Sequence, residues 1–249
     1  MPASPVIVTR PAHQSAPILQ QLDALGWASI PLPLMDIRPL ADDAQAQPLR
    51  NTIMNLDHYD AVVVISMNAA EIGLEWMHNY WPQAPVGIDW IAVGPSTAEI
   101  LENAGLTVHC PTSGFDSEAM LELPCLHPST LAGKKVLLWR GIGGREFLAS
   151  TLRGHGAQVD YAELYHRQEI HHSSATWQQA LAKRPILMLS STQALDIVCA
   201  QVPNLADHLS ALIVPSTRSS NDAKSRGFQR VITAASARDE DMLACLQQL

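Results

Sequence analysis

Short apolar runs of strand length alternate along the chain with stretches that carry apolar residues at helical spacing. Nine runs are predicted to be strands: 5–9, 28–34, 61–66, 90–94, 135–139, 157–164, 186–191, 211–216 and 230–234. Residues 16–26 and 145–156 have helical periodicity, and each segment ends in a glycine suited to a C-cap. Strands that alternate with helices predict parallel βαβ units with helices on both faces of the sheet. The predicted fold class is therefore α/β.

The two halves of the chain resemble each other. VIVTRP followed by LQQLDALGW aligns without a gap with VLLWRG followed by LASTLRGHGA, so that Arg10 falls on Arg140 and Gly26 on Gly156. VVVISMNAAE resembles ILMLSSTQAL, and residues 91–106 resemble residues 212–228. A repeated set of βαβ units predicts two similar doubly wound parallel-sheet lobes of flavodoxin-like type.

An extended segment follows the first unit of each repeat, at 31–39 and at 162–170, and the prolines in the first of them disfavour helix. If both segments cross between lobes as paired strands, they form a two-stranded hinge. Lobe 1 is then discontinuous, 1–36 and 170–249, and lobe 2 is 39–168. This arrangement predicts a substrate cleft between lobes that open and close around the ligand.

Composition places the chain among globular proteins. Of its 249 residues 47% are hydrophobic and 16% charged, and no apolar run approaches the roughly 18 residues that span a bilayer. The N-terminal MPASPVIVTRP has no basic flank before an apolar stretch, so we expect no signal peptide and a cytoplasmic location. The four cysteines are scattered without a C-x-x-C pair, which favours reduced, buried thiols.

The net charge limits the partners. A formal charge of −8 with only 16 Lys and Arg residues disfavours nucleic acid and acidic membrane surfaces. Any anionic ligand must therefore be held by local donors. No exposed apolar stripe compels assembly, which favours a monomer.

Four strand-to-helix turns carry small polar residues: SMNAA, GPSTAE, SSTQA and PSTRSS. Open parallel sheets bind ligands beyond the C-terminal strand ends, where helix N-termini present free N–H groups. The candidate binding residues in these turns are Ser66, Asn68, Gly94, Ser96, Thr97, Ser190, Ser191, Thr192, Ser216 and Thr217. The alternative for each turn is plain N-capping, which stabilises a helix by about 1 kcal/mol.

The glycine-rich stretch WRGIGGRE, 139–146, looks like a phosphate-binding turn but has the wrong third spacing for a dinucleotide fingerprint and lacks Gly-Lys-Ser/Thr. Either the backbone amides of this stretch, at Gly143 for example, bind a ligand carboxylate, or its glycines only allow the backbone to turn tightly. His166, His171 and His172 lack the i, i+4 spacing of a metal-binding helix, and no Gly-x-Ser-x-Gly is present. Neither a metal nor another cofactor is predicted.

The string KKVLLWRGIGGREFLASTLRGHGAQVDYAELYHRQ resembles the uroporphyrinogen-III synthase family. It matches the family's strand, Arg-Gly-x-Gly-Gly-Arg turn, helix, Gly-Ala-x-Val strand and following Tyr-x-Arg. Shorter matches, VTRP, SMNA, VGPSTA, SGFDSEAML and VPS, extend the resemblance over nearly the whole chain. PSTRSS departs from the family's common Gly-Pro-x-Thr-Ala turn at Ser216, Thr217 and Arg218.

The resemblance implies a metal-free lyase that cyclises hydroxymethylbilane to uroporphyrinogen III, with loss of water and inversion of ring D. It also implies a catalytic role for Tyr165, which would face the cleft and assist departure of the hydroxyl group; packing at the hinge is the alternative. Arg10 and Arg140 match arginines that follow the first strand of each repeat, and they either bind substrate carboxylates or pair with acidic groups inside a lobe. A transient contact with porphobilinogen deaminase, the enzyme that makes the bilane, is left open.

A different class of function fits the same architecture. Two α/β lobes around a hinge also serve as non-catalytic modules that bind small molecules. The glycine-rich turn together with Tyr165 favours the enzyme.

Overall fold

The computed structural model describes residues 4–41, 43, 46–144 and 146–249, in which strands and helices alternate. The strands are β1 (Val6–Val8), β2 (Ser29–Pro31), β3 (Met35–Pro39), β4 (Ala61–Val64), β5 (Asp89–Ala92), β6 (Val108–His109), β7 (Lys135–Gly141), β8 (Gln158–Glu169), β9 (Ile186–Met188), β10 (Ala211–Val214) and β11 (Val231–Thr233). The helices are α1 (Ala16–Ala24), α2 (Gln47–Met54), α3 (Met67–Tyr80), α4 (Pro95–Asn103), α5 (Ser117–Leu121), α6 (Pro128–Leu131), α7 (Phe147–Gly154), α8 (Ser174–Leu181), α9 (Thr192–Gln201), α10 (Thr217–Ser225) and α11 (Asp239–Ala244). The α/β fold class is confirmed.

The chain divides into two compact units. Unit 1 comprises Met1–Asp36 and Gln168–Leu249, and unit 2 comprises Ile37–Arg167. Unit 1 is therefore discontinuous in sequence. Both crossings of the chain between the units fall within strands, the first in β3 and the second in β8.

The sheet of unit 1 has five strands in the order β11-β10-β9-β1-β2, and neighbouring strands are parallel. Numbered within the unit, this is the order 2-1-3-4-5 of a flavodoxin-like sheet. Ile7 belongs to one hydrophobic cluster, while Val6 and Val8 belong to another. Successive side chains of a strand point to opposite faces, so both faces of this sheet are buried and the strands are apolar without interruption.

The sheet of unit 2 has the order β3-β8-β7-β4-β5-β6. In the internal repeat, β7 corresponds to β1. The strand order of unit 1 is therefore repeated in β8-β7-β4-β5-β6, although the chain enters the two sheets at different strands. The extra strand β3 runs antiparallel to β8, because the N–H of Leu40 donates to the carbonyl of Leu164 while the N–H of Ile170 donates to that of Leu34. The predicted duplication thus accounts for the topology of both units.

A tryptophan fixes the distance between helix α3 and the sheet of unit 2. The indole of Trp139 on β7 is fully buried, and its ring centroid lies 5.3 Å from that of Trp90 in an edge-on arrangement. A Cβ on Gly73 of α3 would lie only 2.1 Å from Cε3 of Trp139. The glycine therefore allows the helix backbone to pack directly on the indole face.

The cysteines and helices limit other chemistry. The four cysteines are free, Cys245 is buried, and the other three are half-buried. Burial raises the pKa of each thiol, which disfavours the reactive thiolate at neutral pH. Among the described residues, no helix combines the length and the apolar composition that a membrane-spanning segment requires.

Candidate active site

The sequence-predicted binding residues gather at one sheet edge in each unit. In unit 1, the strand ends of β1, β9 and β10 are adjacent, and in unit 2 those of β7, β4 and β5 are adjacent. The strand order reverses next to β1 and β7, where doubly wound sheets commonly bind ligands. Unit 1 contributes Arg10, Ser190, Ser191, Thr192, Ser216 and Thr217. Unit 2 contributes Ser66, Asn68, Gly94, Ser96, Thr97, Arg140, Gly143 and Tyr165.

Three of the predicted serines are N-caps. Ser66 Oγ accepts a hydrogen bond of 3.1 Å from the N–H of Ala69 at the start of α3. Ser191 and Ser216 cap α9 and α10 in the same way. Helix α4 begins after Gly94, which has no side chain to accept a hydrogen bond from the first amides of the helix. The capping alternative therefore holds for these serines, and anion binding by the remaining amides stays a prediction.

A chain of hydroxyl groups joins two helix N-termini in unit 1. Thr192 Oγ1 lies 2.8 Å from Ser219 Oγ, which lies 3.0 Å from Ser216 Oγ. Ser219 is buried and was missed by sequence reasoning, although its position three residues after the cap Ser216 is a recognisable signal. The network holds the starts of α9 and α10 together.

The other predicted residues differ in accessibility. Thr97 is buried and Thr217 is exposed. Asn68, Ser96 and Ser190 are half-buried. The side chain of Thr97 is therefore the one of these five that cannot meet a ligand in this conformation.

A β-bulge positions Tyr165. The pairing of β7 with β8 slips between Arg140 and Gly141, so that Gly141 lies opposite Tyr165. The aromatic ring occupies the space above this glycine, because a Cβ there would be 2.5 Å from Tyr165 Cε2. Tyr165 is only 1% exposed. The structure thus shows the packing role that was the alternative for Tyr165.

The hydroxyl group of Tyr165 connects strand β8 to helix α3. It lies 3.0 Å from Ser66 Oγ and accepts a 3.4 Å hydrogen bond from Arg167. The Arg167 guanidinium carbon also lies 5.6 Å from the centre of the tyrosine ring. Arg167 was missed as a site residue, although its place two residues after Tyr165 on a strand put both side chains on one face.

Both predicted arginines are paired inside their own unit. Arg10 forms a 2.8 Å ion pair with Asp239 and donates to the carbonyl of Ala237. Burial lowers the pKa of Arg10, and the charge of Asp239 opposes this effect. Arg140 is 3% exposed and forms a 3.0 Å ion pair with Glu146. The structure therefore shows the internal-pairing alternative, and substrate binding by these arginines stays a prediction.

The glycine-rich turn wraps around the guanidinium group of Arg140. Gly143 and Gly144 have φ values of +73° and +104°, which L side chains rarely adopt. Arg140 Nη2 donates to the carbonyl of Gly143 and would lie 3.0 Å from a Cβ on Gly144. The motif's second arginine, Arg145, lies outside the described residues. The tight-turn role of the glycines is thus visible, and a contact with a carboxylate stays a prediction.

Glu146 holds this turn to strand β8. The phenol of Tyr161 donates to its carboxylate, and this hydrogen bond, followed by that from Arg140, lowers the pKa of Glu146 below its ordinary value of 4.5. A carboxyl group with a lowered pKa in the folded state stabilises the protein above the ordinary pKa. That stabilisation is lost as the pH falls through the lowered pKa.

Glu146→Gln is therefore expected to lower the free energy of unfolding at neutral pH, and the difference from wild type is expected to shrink as the pH falls below 4.5. Urea unfolding of both proteins across this pH range measures it. Glu99→Gln on the exposed side of α4 controls for the loss of one surface charge. A difference that stays constant down to the lowest pH would contradict the assignment.

Metal-binding groups do not cluster in the described residues: no three His, Cys, Asp or Glu side chains among them could hold a metal ion. The chemistry on view is that of hydroxyl groups, backbone amides, a buried phenol and guanidinium groups. Such groups bind carboxylates and move protons.

The fold and site define a duplicated, doubly wound α/β protein with capped helix N-termini at the strand ends. Residues 16–244 match the family model described as "Uroporphyrinogen-III synthase HemD", and the chain belongs to this family. The uroporphyrinogen-III synthase of Escherichia coli is 29% identical over 252 residues, covering 97% of this chain and 99% of that protein. The enzyme of Proteus mirabilis is 34% identical and covers 65% of this chain and 79% of that protein.

Solved structures support the fold. A mutant uroporphyrinogen III synthase of the extremely thermophilic bacterium Thermus thermophilus superimposes with a TM-score of 0.66 at 12% identity, covering 99% of this chain and all of that chain. This likeness confirms the α/β fold at low identity. None of these matches supports the alternative of a non-catalytic binding module.

Proposed function

We propose that this protein is a uroporphyrinogen-III synthase, a lyase that closes hydroxymethylbilane into uroporphyrinogen III with loss of water and inversion of ring D. The observation that carries the proposal is the family match over residues 16–244. The full-length similarity to the Escherichia coli enzyme supports it.

The substrate poses an electrostatic problem that the strand-end turns can solve. Hydroxymethylbilane carries acetate and propionate groups, whereas the protein itself has a formal charge of −8. Helix N-termini bind anions through free amides and the positive end of the helix dipole, without added basic residues. We assign carboxylate binding to the turns at Ser66–Asn68, Gly94–Thr97, Ser190–Thr192 and Ser216–Thr217. In this proposal, Arg140 shapes the turn by donating to the carbonyl of Gly143, and the amide of this exposed residue is a further candidate donor.

The chemistry needs positioning and a proton. Loss of the hydroxyl group leaves a delocalised azafulvenium cation, so no strong nucleophile is required. Holding the flexible bilane in one ring-closing conformation supplies most of the rate. Protonation of the departing hydroxyl group supplies the remainder, and Tyr165 with its neighbour Ser66 is the candidate source. No metal or other cofactor takes part in this scheme.

The wider arrangement expected from the sequence belongs to the same proposal: a cleft and a hinge, a monomer in the cytoplasm, and a transient contact with porphobilinogen deaminase. If one of these expectations is wrong, the proposed activity still stands. The activity is judged by which isomer of uroporphyrinogen the protein forms.

The test is a coupled assay in which porphobilinogen deaminase makes the bilane with and without this protein. After oxidation of the products, chromatography separates the type I and type III isomers. Uncatalysed closure gives type I, and we expect type III in the presence of the folded protein. Formation of type I alone, with circular dichroism showing a folded protein, would reject the proposed function. Heat-denatured protein is the matched control.

A further inference from the structure

We infer that Ser66 is the group that protonates the departing hydroxyl of the substrate, and that Tyr165 and Arg167 supply it with a proton from behind. This inference rests on the proposed function. It follows from the hydrogen bonds that join the three side chains, from their burial, and from the charge of Arg167.

The direction of the Tyr165–Ser66 hydrogen bond follows from a count of donors. The phenol oxygen accepts from Arg167, and Ser66 Oγ accepts from the amide of Ala69. If Ser66 donated to Tyr165, the phenol proton would have no acceptor within the described residues, which is unfavourable for a buried donor. If Tyr165 donates to Ser66, both hydroxyl groups keep their bond and the phenol proton is satisfied. The hydrogen left over is that of the Ser66 hydroxyl.

Burial selects the same group. Tyr165 is 1% exposed and its ring is enclosed over Gly141, whereas Ser66 is half-buried at the N-terminus of α3. A substrate bound at the amides of α3 therefore reaches the serine hydroxyl before it reaches the phenol. The unused hydrogen and the accessible position coincide at Ser66.

Arg167 provides the charge that the transfer requires. Within the described residues, no carboxylate forms an ion pair with it, unlike Arg10 and Arg140. Its guanidinium nitrogen lies 3.4 Å from the phenol oxygen. A negative charge that forms on this oxygen meets a cation that is not engaged in an ion pair in the described parts of the chain.

The step balances as follows. The bond between carbon and the hydroxyl oxygen breaks, and its electron pair leaves with the oxygen. That oxygen takes the proton of Ser66 and departs as water, while Ser66 takes the proton of Tyr165. The tyrosinate is stabilised by Arg167. When the newly closed ring loses a proton from carbon and regains aromaticity, Ser66 accepts that proton and passes its own to the tyrosinate, which restores both hydroxyl groups.

The experiment measures single-turnover formation of the type III isomer from hydroxymethylbilane. Ser66→Ala is expected to lower the rate constant at saturation roughly 100-fold with little change in the substrate concentration at half-saturation. Ser66→Thr keeps the hydroxyl and the helix cap and is expected to recover most of the rate. Tyr165→Phe is expected to be slow as well, and the double variant no slower than the slower single variant, because both belong to one path. Arg167→Lys keeps the charge and is expected to be faster than Arg167→Gln.

Two further measurements separate proton transfer from a merely structural role. Ser173→Ala removes the same kind of cap, from α8, and is expected to cost similar stability without loss of rate. In mixtures of H₂O and D₂O, the wild-type rate is expected to curve with deuterium content because two protons move, and that of Tyr165→Phe to be linear. A Ser66→Ala rate equal to that of Ser173→Ala, or multiplicative losses in the double variant, overturns the inference. Type I product from the wild type rejects the proposed function instead.

Discussion

Gly73→Ala is expected to lower the free energy of unfolding of unit 2 by about 2 kcal/mol, although alanine is the better helix former. The added Cβ would lie 2.1, 2.4 and 2.7 Å from three atoms of the Trp139 indole, which is fully buried against Trp90. Because the indole is buried, relief of this overlap requires a shift of the ring or of the backbone of α3. Thermal unfolding followed by near-ultraviolet circular dichroism, which reports on the paired tryptophans, is expected to show a decrease in Tm of roughly 5 °C.

Gly154→Ala is the matched control for this prediction. Gly154 ends helix α7, its φ is not positive, and no atom lies within 4 Å of the position of an added Cβ. The same substitution is therefore expected to leave Tm unchanged or to raise it. If Gly73→Ala also raised Tm, α3 and Trp139 could not be in the close contact seen here.

Gly141→Ala is expected to slow formation of the type III isomer about 100-fold, in addition to destabilising the protein by about 1–3 kcal/mol. A Cβ at this position would lie 2.5–3.1 Å from three atoms of the Tyr165 ring. Because the ring is enclosed, it must tilt or shift, and the 3.0 Å contact of its hydroxyl group with Ser66 is then lost. The variant leaves the hydroxyl groups of both residues in place, so it tests their geometry alone.

The comparison that decides this prediction is a double-mutant cycle with Tyr165→Phe. If Gly141→Ala acts by displacing the Tyr165 hydroxyl, it is expected to slow the Tyr165→Phe enzyme much less than the wild type. Rates are measured on protein that remains folded at the assay temperature, as judged by circular dichroism. Equal factors in both backgrounds would mean that Gly141 affects turnover by a route that does not include the tyrosine hydroxyl.

The strands were predictable because their signal is local. Each of the nine predicted runs overlaps a strand, and most of the differences are at the C-terminal ends. Three runs are too long there because Ser66, Ser191 and Ser216 cap helices instead of extending the strands, whereas β7 and β8 continue beyond their predicted runs. Sequence reasoning missed β6, because two residues, Val108–His109, are too short for an alternating or apolar pattern to stand out. The internal repeat indicated that the two units share one strand order, because matching short segments recur in the same sequence in both.

The candidate site was predictable in part. Small polar residues after a strand signal a turn and a helix start, so Ser66, Ser191 and Ser216 were found from sequence. Ser219 and Arg167 were missed as site residues, because the role of Ser219 depends on Thr192 in another helix and that of Arg167 depends on the bulge that positions Tyr165. The same limit left open whether Arg10 and Arg140 face a ligand or an internal carboxylate.

The sequence by itself determined the α/β class, the duplication and the positions of the strand-end turns, since hydrophobic periodicity and turn chemistry depend on residues close together in the chain. Only the tertiary structure decided which groups share a hydrogen bond. The slip between Arg140 and Gly141 turns Tyr165 towards Ser66, and internal carboxylates occupy Arg10 and Arg140. These outcomes depend on register, burial and competition among partners far apart in sequence, which come into existence only when the sheets are assembled.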